Sequence, residues 1–266
     1  MTEETTTTTT KSKLQFSAIT RTADLWKAIS LAIMTIVDEA HFEANSEGLQ
    51  FRSMDPSHIA LIDISCPAIA FEKYECDSSI KFGFRVDDFA KVIKRAGPND
   101  SIELTLQESM LYVKTSGSYS RNYKLKLIES NGGSSTPLPK LACDSRLVMS
   151  PSILDRILSD IEVVNNKITI ETTQDNKAIF TTSSELGQAT VAIDDKSNIE
   201  NLNEISITAP SKGTYSTEFI TKIVKAVNTT SQTVTLEYTS GKPLKLTFAL
   251  PNALKIEFYM APRIED

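Results

Sequence analysis

The chain has 266 residues, 40% of them hydrophobic, which is enough for a sizeable core and long for one ordinary domain, so two domains are expected. A formal net charge of -6 excludes a surface attractive as a whole to nucleic acid or anionic lipid, while leaving room for a local basic patch. No stretch approaches the roughly 20 apolar residues that span a bilayer, and the N-terminus lacks the charged-then-apolar order of a signal peptide. An intracellular protein with no membrane association is the expectation.

Met1 to Ser12 is of low complexity, with an unbroken threonine run from Thr5 to Thr10, and reads as a disordered tail. Lys13 to Ile19 alternates like a strand. From Asp24 to Val37 the spacing becomes helical, with Leu25, Ala28, Ile29, Ala32, Ile33 and Ile36 on one stripe and Asp24 as N-cap. Short alternating runs follow at His41–Ala44, Gly48–Met54 and His58–Ser65, separated by turn residues such as Asn45 to Gly48, as antiparallel strands require. A second helix spans Val86–Arg95 and is stopped by Gly97 and Pro98. Strands are expected at Ser101–Leu106, Met110–Lys114 and Tyr123–Ile128.

Glu129 to Ala142 begins as a Gly and Ser run and ends in Pro137, Leu138, Pro139 and Leu141, which are stiff or apolar. It reads as a linker that is also a surface. Beyond it the same grammar returns: Ser150-Pro151 opens a helix through Ile161, strands follow at Lys167–Glu171 and Ala178–Thr182, and a fourth helix spans Ser216–Val227. Thr233–Tyr238 and Leu244–Leu250 are further strands. The chain therefore divides into a tail (1–12), a first domain (13–128), a linker (129–142) and a second domain (143–266) of the same α+β design, each with antiparallel sheets and two short helices.

In the second helix Phe89, Val92 and Ile93 pack inward, while Lys91, Lys94 and Arg95 point away. In the fourth, Phe219, Ile223 and Val224 pack, while Lys222 and Lys225 point away. Arg156 and Lys27 hold similar places in the other two. For one helix an ordinary solvated face accounts for the pattern. Recurrence over four helices on one side of a repeated sheet would add the cations into a basic surface suited to phosphate backbone, diluted by Asp88, Asp155 and Asp160.

Cys66, Cys76 and Cys143 are odd in number and lack Cys-x-x-Cys spacing, so free thiols are expected instead of disulfides or zinc, and no cofactor or metal is implied. Asp55 and His58 could suggest an acid and imidazole pair, but no nucleophile motif such as Gly-x-Ser-x-Gly and no phosphate-cradling Gly loop accompanies them. A turn that positions Met54 and Ile59 is the plainer reading, and no enzyme is expected.

The segment Ser53-Met-Asp-Pro-Ser-His-Ile-Ala-Leu61 resembles the Met-Asp-Ser-Ser-His segment of the DNA polymerase sliding clamps, the proliferating cell nuclear antigen family. Phe258-Tyr-Met-Ala-Pro-Arg-Ile-Glu-Asp266 is similar to that family's ending, and Leu49-Gln50, Lys94 to Gly97, Ser184 to Gly187 and Pro243-Leu244 agree as well. The resemblance runs from Lys13 to Asp266. It implies the DNA-clamp fold and a homotrimeric six-domain ring around double-stranded DNA, opened by a clamp loader of the replication factor C type. It also implies that DNA polymerase, flap endonuclease and DNA ligase dock through short peptides in a pocket formed by Met54, His58, Ile59, Leu61, Leu138, Pro139, Leu141, Pro243, Tyr259, Ala261 and Pro262. Local core closing the domain seam is the competing account of those apolar residues. Channel residues would be Lys27, Lys91, Lys94, Arg95, Arg156, Lys222 and Lys225. The subunit contact would join strand edges at Ser118–Leu127 and Lys177–Thr182, involving Tyr119, Arg121, Tyr123, Lys177, Ile179 and Thr181.

Pro56 stands where the family has serine, and the linker lacks an acidic cluster, which leans toward an archaeal source. Location would then be cytoplasmic and chromosome-associated, and nuclear if the source were eukaryotic. The threonine tail has no counterpart. A protein-interaction scaffold without DNA, and a hydrolase using Asp55 and His58, are the alternative classes.

Overall fold

The computed structural model describes residues 14–129, 136–194 and 199–264. The threonine tail, most of the Gly and Ser half of the linker and the last two residues lie outside the described residues. The first repeat runs β1 (Phe16–Thr20), α1 (Asp24–Ile33), β2 (Glu39–Asn45), β3 (Gly48–Met54), β4 (Ala60–Pro67), β5 (Lys73–Glu75), β6 (Ile80–Arg85), α2 (Val86–Ile93), β7 (Ser101–Gln107), β8 (Met110–Ser116) and β9 (Ser120–Lys126). The second runs β10 (Ser145–Met149), α3 (Pro151–Glu162), β11 (Lys167–Thr173), β12 (Lys177–Ser184), β13 (Gly187–Asp194), β14 (Leu202–Ile207), β15 (Ser211–Ser216), α4 (Thr217–Val227), β16 (Thr233–Tyr238), β17 (Leu244–Ala249) and β18 (Lys255–Met260). Every strand and α-helix described in one repeat has a counterpart in the other, in the same order.

The strands form a five-stranded sheet β5-β1-β7-β8-β9, a four-stranded sheet β13-β12-β11-β15, and a nine-stranded sheet β14-β10-β16-β17-β18-β4-β3-β2-β6. The long sheet is two half-sheets, one per repeat, joined by antiparallel pairing of β18 with β4. Alternation explains the layering. Ile102, Leu104 and Leu106 of β7, or Leu244, Leu246 and Phe248 of β17, are buried beneath the helices, and the residues between them face outward. The first repeat fills its core with rings: Phe42 stacks on Phe84 at 5.5 Å, and Trp26 meets Phe89 edge-on at 5.8 Å. The second relies more on aliphatic side chains such as Leu147, Leu158, Ile161 and Val224.

The helices form one row, α2-α1-α4-α3, through contacts of α1 with both α2 and α4 and of α4 with α3. Helix α1 is shorter than its spacing predicts, ending at Ile33 in turns capped by the Thr35 hydroxyl on the Ala32 carbonyl at 2.7 Å. Its N-cap is Ala23, not Asp24; the Asp24 carboxylate sits in the first turn 3.5 Å from Lys27 Nζ. Phe89 and Phe219, both expected from the sequence to pack inward, do not occupy equivalent places: the repeats superpose one residue away from that match. The Val86 N–H donates to the Asp38 carbonyl and the Thr217 N–H to the Asn166 carbonyl, both at 2.9 Å, so Val86 corresponds to Thr217 and Phe89 to Ile220. Phe219 is accordingly only half-buried while Ile220 is fully buried. The shift places Lys91 with Lys222 and Lys94 with Lys225.

One turn depends on glycine. Gly48 has φ +149°, and a Cβ there would lie 2.2 Å from the Cys66 carbonyl oxygen. The Asn45 side chain accepts from the Glu47 N–H at 2.8 Å and holds that β2–β3 turn.

Candidate functional site

Packing the apolar stripes of a single helical layer onto the sheets leaves its opposite side as one surface. Lys91, Lys94 and Arg95, with Arg156, Lys222 and Lys225, are exposed there, and Lys27 is part-exposed on α1. Several are partly neutralised: Lys91 reaches Asp87 at 3.2 Å and Asp88 at 3.1 Å, and Lys222 reaches Glu218 at 2.8 Å. Such exposed pairs are weak and yield to a stronger anion. Among the described residues Lys94, Arg95, Arg156 and Lys225 form no ion pair.

The opposite side, the outer face of the nine-stranded sheet, is largely polar. Arg52 bonds Asp63 at 2.7 Å, and Lys245 lies 3.3 Å from both Glu237 and Glu257. Its exception is a row set by register: Met54 opposite Leu61, Leu61 opposite Tyr259, and Tyr259 opposite Lys245. Leu61 and Tyr259 are only 3% and 5% exposed, yet neither belongs to the core beneath the sheet. For these two residues the structure favours seam closure over an open pocket wall. Exposed apolar surface beside them comes from Ile59, 41% exposed, while Leu138, Pro139, Leu141, Pro243, Ala261 and Pro262 are half-buried and His58 is exposed. The Ala261 N–H donates to the Ile59 carbonyl at 2.9 Å, and Arg52 donates to the Thr136 carbonyl at 3.3 Å. The terminus, the β3–β4 turn and the linker at Thr136 are thereby drawn to one place.

Asp55 organises that turn. Its carboxylate accepts from the N–H groups of Ser57, Ile59 and Ala60 at 2.9, 2.7 and 2.6 Å, and His58 adopts φ 59°. Both carboxylate oxygens are committed to backbone, which is a turn's use of the residue. Asp55→Ala should cost about 3 kcal/mol, because three donors lose a charged acceptor at a residue only 3% exposed; a lowered urea midpoint measures it.

Glu257 is 6% exposed in the same region. Burial pushes its carboxyl up, but Lys255, the Tyr259 hydroxyl and Lys245 together outweigh this and hold it below the ordinary range. Asp100 is also held low, by the Gly97 N–H and by Arg121. A carboxyl depressed in the folded state contributes stability above its unfolded value, about 4.3 for Glu and about 3.9 for Asp, and loses it as pH falls through the folded value. Stability measured by urea unfolding should therefore fall on the acid side, and Glu257→Gln should make that fall shallower.

The edge strands are informative because one junction already exists inside the chain. When the repeats are matched through their strand registers, β18 corresponds to β9 and β4 to β13, yet β9 and β13 are free edges of their sheets. Phe258, paired with Ile62, corresponds to Tyr123, and Ile62 to Ala189. Ile256, Phe258, Met260, Ile62 and Ile64 are buried, whereas Arg121, Tyr123, Leu125, Ala189 and Val191 are half-buried in the same alternation. The sequence placed the second edge at Lys177, Ile179 and Thr181, and this is corrected. Those residues lie on β12, which is flanked by β11 and β13; the edges of that sheet are β13 and β15, and β13 is the one that corresponds to β4. A run of small and polar residues, Gly187-Gln-Ala-Thr190, hid that strand. Tyr119, 63% exposed, and Arg121, whose guanidinium lies 4.0 Å over the Tyr119 ring, do lie at the β9 edge.

Comparison with known proteins agrees with this geometry. The model of the proliferating cell nuclear antigen N-terminal domain matches residues 15–132, and that of its C-terminal domain matches residues 137–263. The DNA polymerase sliding clamp of Nitrosopumilus maritimus is 47% identical over 95% of this chain and 100% of its own length. That of Cenarchaeum symbiosum is 43% identical over the same shares. The crystal structure of PCNA from Thermococcus kodakaraensis superposes with a TM-score of 0.88 at 24% identity, covering 94% of this chain and all of that one. A PCNA2–PCNA3 complex from Sulfolobus tokodaii gives 0.86 at 27% identity, with the same coverage. With both domain models matched in order and the two repeats joined strand to strand, the chain belongs to the proliferating cell nuclear antigen family.

Proposed function

We propose that the chain is a DNA sliding clamp: three copies close head to tail, the helical layer faces the central hole, and duplex DNA passes through without being read in sequence. The observation that carries this is the β18–β4 junction, whose counterparts β9 and β13 are left open with half-exposed apolar residues. An unfilled heterologous pair of edges adds copies until the rotation closes. The same correspondence sets α3 against α2 of the next copy, as α1 lies against α4 within one, so the helices would line the hole without a break. Topological linkage tolerates weak, salt-sensitive phosphate contacts, which suits cations diluted by Asp87, Asp88 and Glu218.

Polymerase, flap endonuclease and ligase would dock by short peptides over Ile59, the linker from Pro137 to Leu141 and the terminus, and a clamp loader would open the ring. The archaeal relatives support an intracellular role in replication. Native mass is the first test: three times the 29.4 kDa chain mass supports a ring of identical chains, and a monomer at micromolar concentration removes it. Loading onto closed circular DNA, with release on linearisation, tests the topology.

A further inference from the structure

The wall formed by α1 and α4 carries a feature that a purely electrostatic lining does not need. Leu31 and Met34 of the α1 end are 48% and 43% exposed, and with Thr35, Ala226, Lys222 and Lys225 they line a shallow depression of about 330 Å³ between the two helices. The Thr35 hydroxyl is already committed to the Ala32 carbonyl, so the floor is apolar and its polar rim is two ammonium groups. Lys225 has no ion pair among the described residues, and Lys222 holds only the exposed Glu218. Among the described residues no carboxylate lines the depression itself. An apolar floor beside paired cations matches a sugar-phosphate backbone, whose phosphate is anionic and whose deoxyribose carbons are apolar.

We propose that this α1–α4 seam is a strand-tracking subsite: Lys222 and Lys225 hold a phosphate of one DNA strand while its deoxyribose rests on Leu31 and Met34. The proposal deepens the clamp reading and rests on it. It adds to channel contact a component that releases no counterions and persists as salt rises, because burial of sugar carbons is not screened. The seam recurs once per chain, so a ring would hold it at equal intervals.

The test is binding of the full-length assembly to a short fluorescent duplex, by anisotropy, across a salt series. Leu31→Ser with Met34→Ser should weaken binding by about threefold at every salt concentration and leave the salt slope unchanged. Lys222→Ala with Lys225→Ala should instead reduce the slope by about 0.9 for each phosphate that is no longer neutralised. Both apolar residues are already exposed, so native mass and the urea midpoint should stay at wild-type values, and these controls are measured alongside. If the serine pair binds as wild type while the alanine pair weakens, the subsite is overturned, the clamp reading stands, and the seam is left to a protein partner. If neither pair changes binding, the subsite is likewise overturned, while the clamp reading stands or falls separately on native mass and on retention by circular DNA.

Discussion

Val191→Lys should convert the assembly to monomers, lowering the native mass to the 29.4 kDa of one chain and abolishing retention on circular DNA. Matching β4–β18 onto β13–β9 puts Val191 opposite Arg121 of the neighbouring copy, since Ile64 corresponds to Val191 and Ile256 to Arg121. The substitution buries an ammonium against a guanidinium, and an uncompensated charge at such a site costs about 3–5 kcal/mol. The residue is half-buried in the single chain and should be closed over only in the ring, so the fold of each copy should survive. The same register sets Asn122 opposite Thr190, the counterparts of Glu257 and Asp63. Asn122→Cys with Thr190→Cys should therefore crosslink copies covalently under oxidation, and absence of crosslinks in an intact trimer would refute the register.

Ile59→Ser with Leu141→Ser should weaken capture of a short apolar partner peptide by about 30-fold, with native mass unchanged. Ile59 is exposed at the tip of the Asp55 turn, and Leu141 of the linker is half-buried, so neither substitution opens a cavity. Tyr259→Ala is a poorer test. That ring is 5% exposed and its hydroxyl donates to Glu257 at 3.0 Å, so its removal would destabilise the β4–β18 junction along with any pocket. Calorimetry with the peptide measures the first effect, and unchanged affinity would remove the docking surface.

The four helices and the strands with strict alternation are legible in the sequence. Gly48–Met54 and Thr233–Tyr238 have the bounds expected of them, because each carries apolar residues at a period that matches its backbone. Strands β5, β6, β10, β13, β14, β15 and β18 are not. Most of them are short, small or polar, as in Lys73–Glu75 and Gly187–Asp194, or buried on both faces, as in Lys255–Met260, where Glu257 and Tyr259 are covered on the outer side; β6 is the exception, since Ile80, Phe82 and Phe84 alternate strictly and mark a strand in the sequence. Strand pairing is a non-local property, so the sheet edge falls on β12 when only β11 and β12 are visible. The basic helix faces are legible through recurrence, whereas the neutralising effect of the first-turn acids Asp87, Asp88 and Glu218 emerges only with the ion-pair distances. Leu31 and Met34 could have been found from sequence: they lie off the stripe of Ala28, Ala32 and Ile36, which marks apolar residues facing solvent.

The nine-stranded sheet bears on how such a ring would open. Its intrachain junction and the proposed intersubunit junction are built alike, strand to strand, so backbone pairing alone gives a loader no reason to prefer one over the other. Covalent connection does. When β18 and β4 part, the linker keeps both edges at high effective concentration and they re-form at once. A parted β9–β13 edge has no such short covalent tether and is held only through the rest of the ring, so there a transient breach more readily grows into a gate wide enough for a duplex.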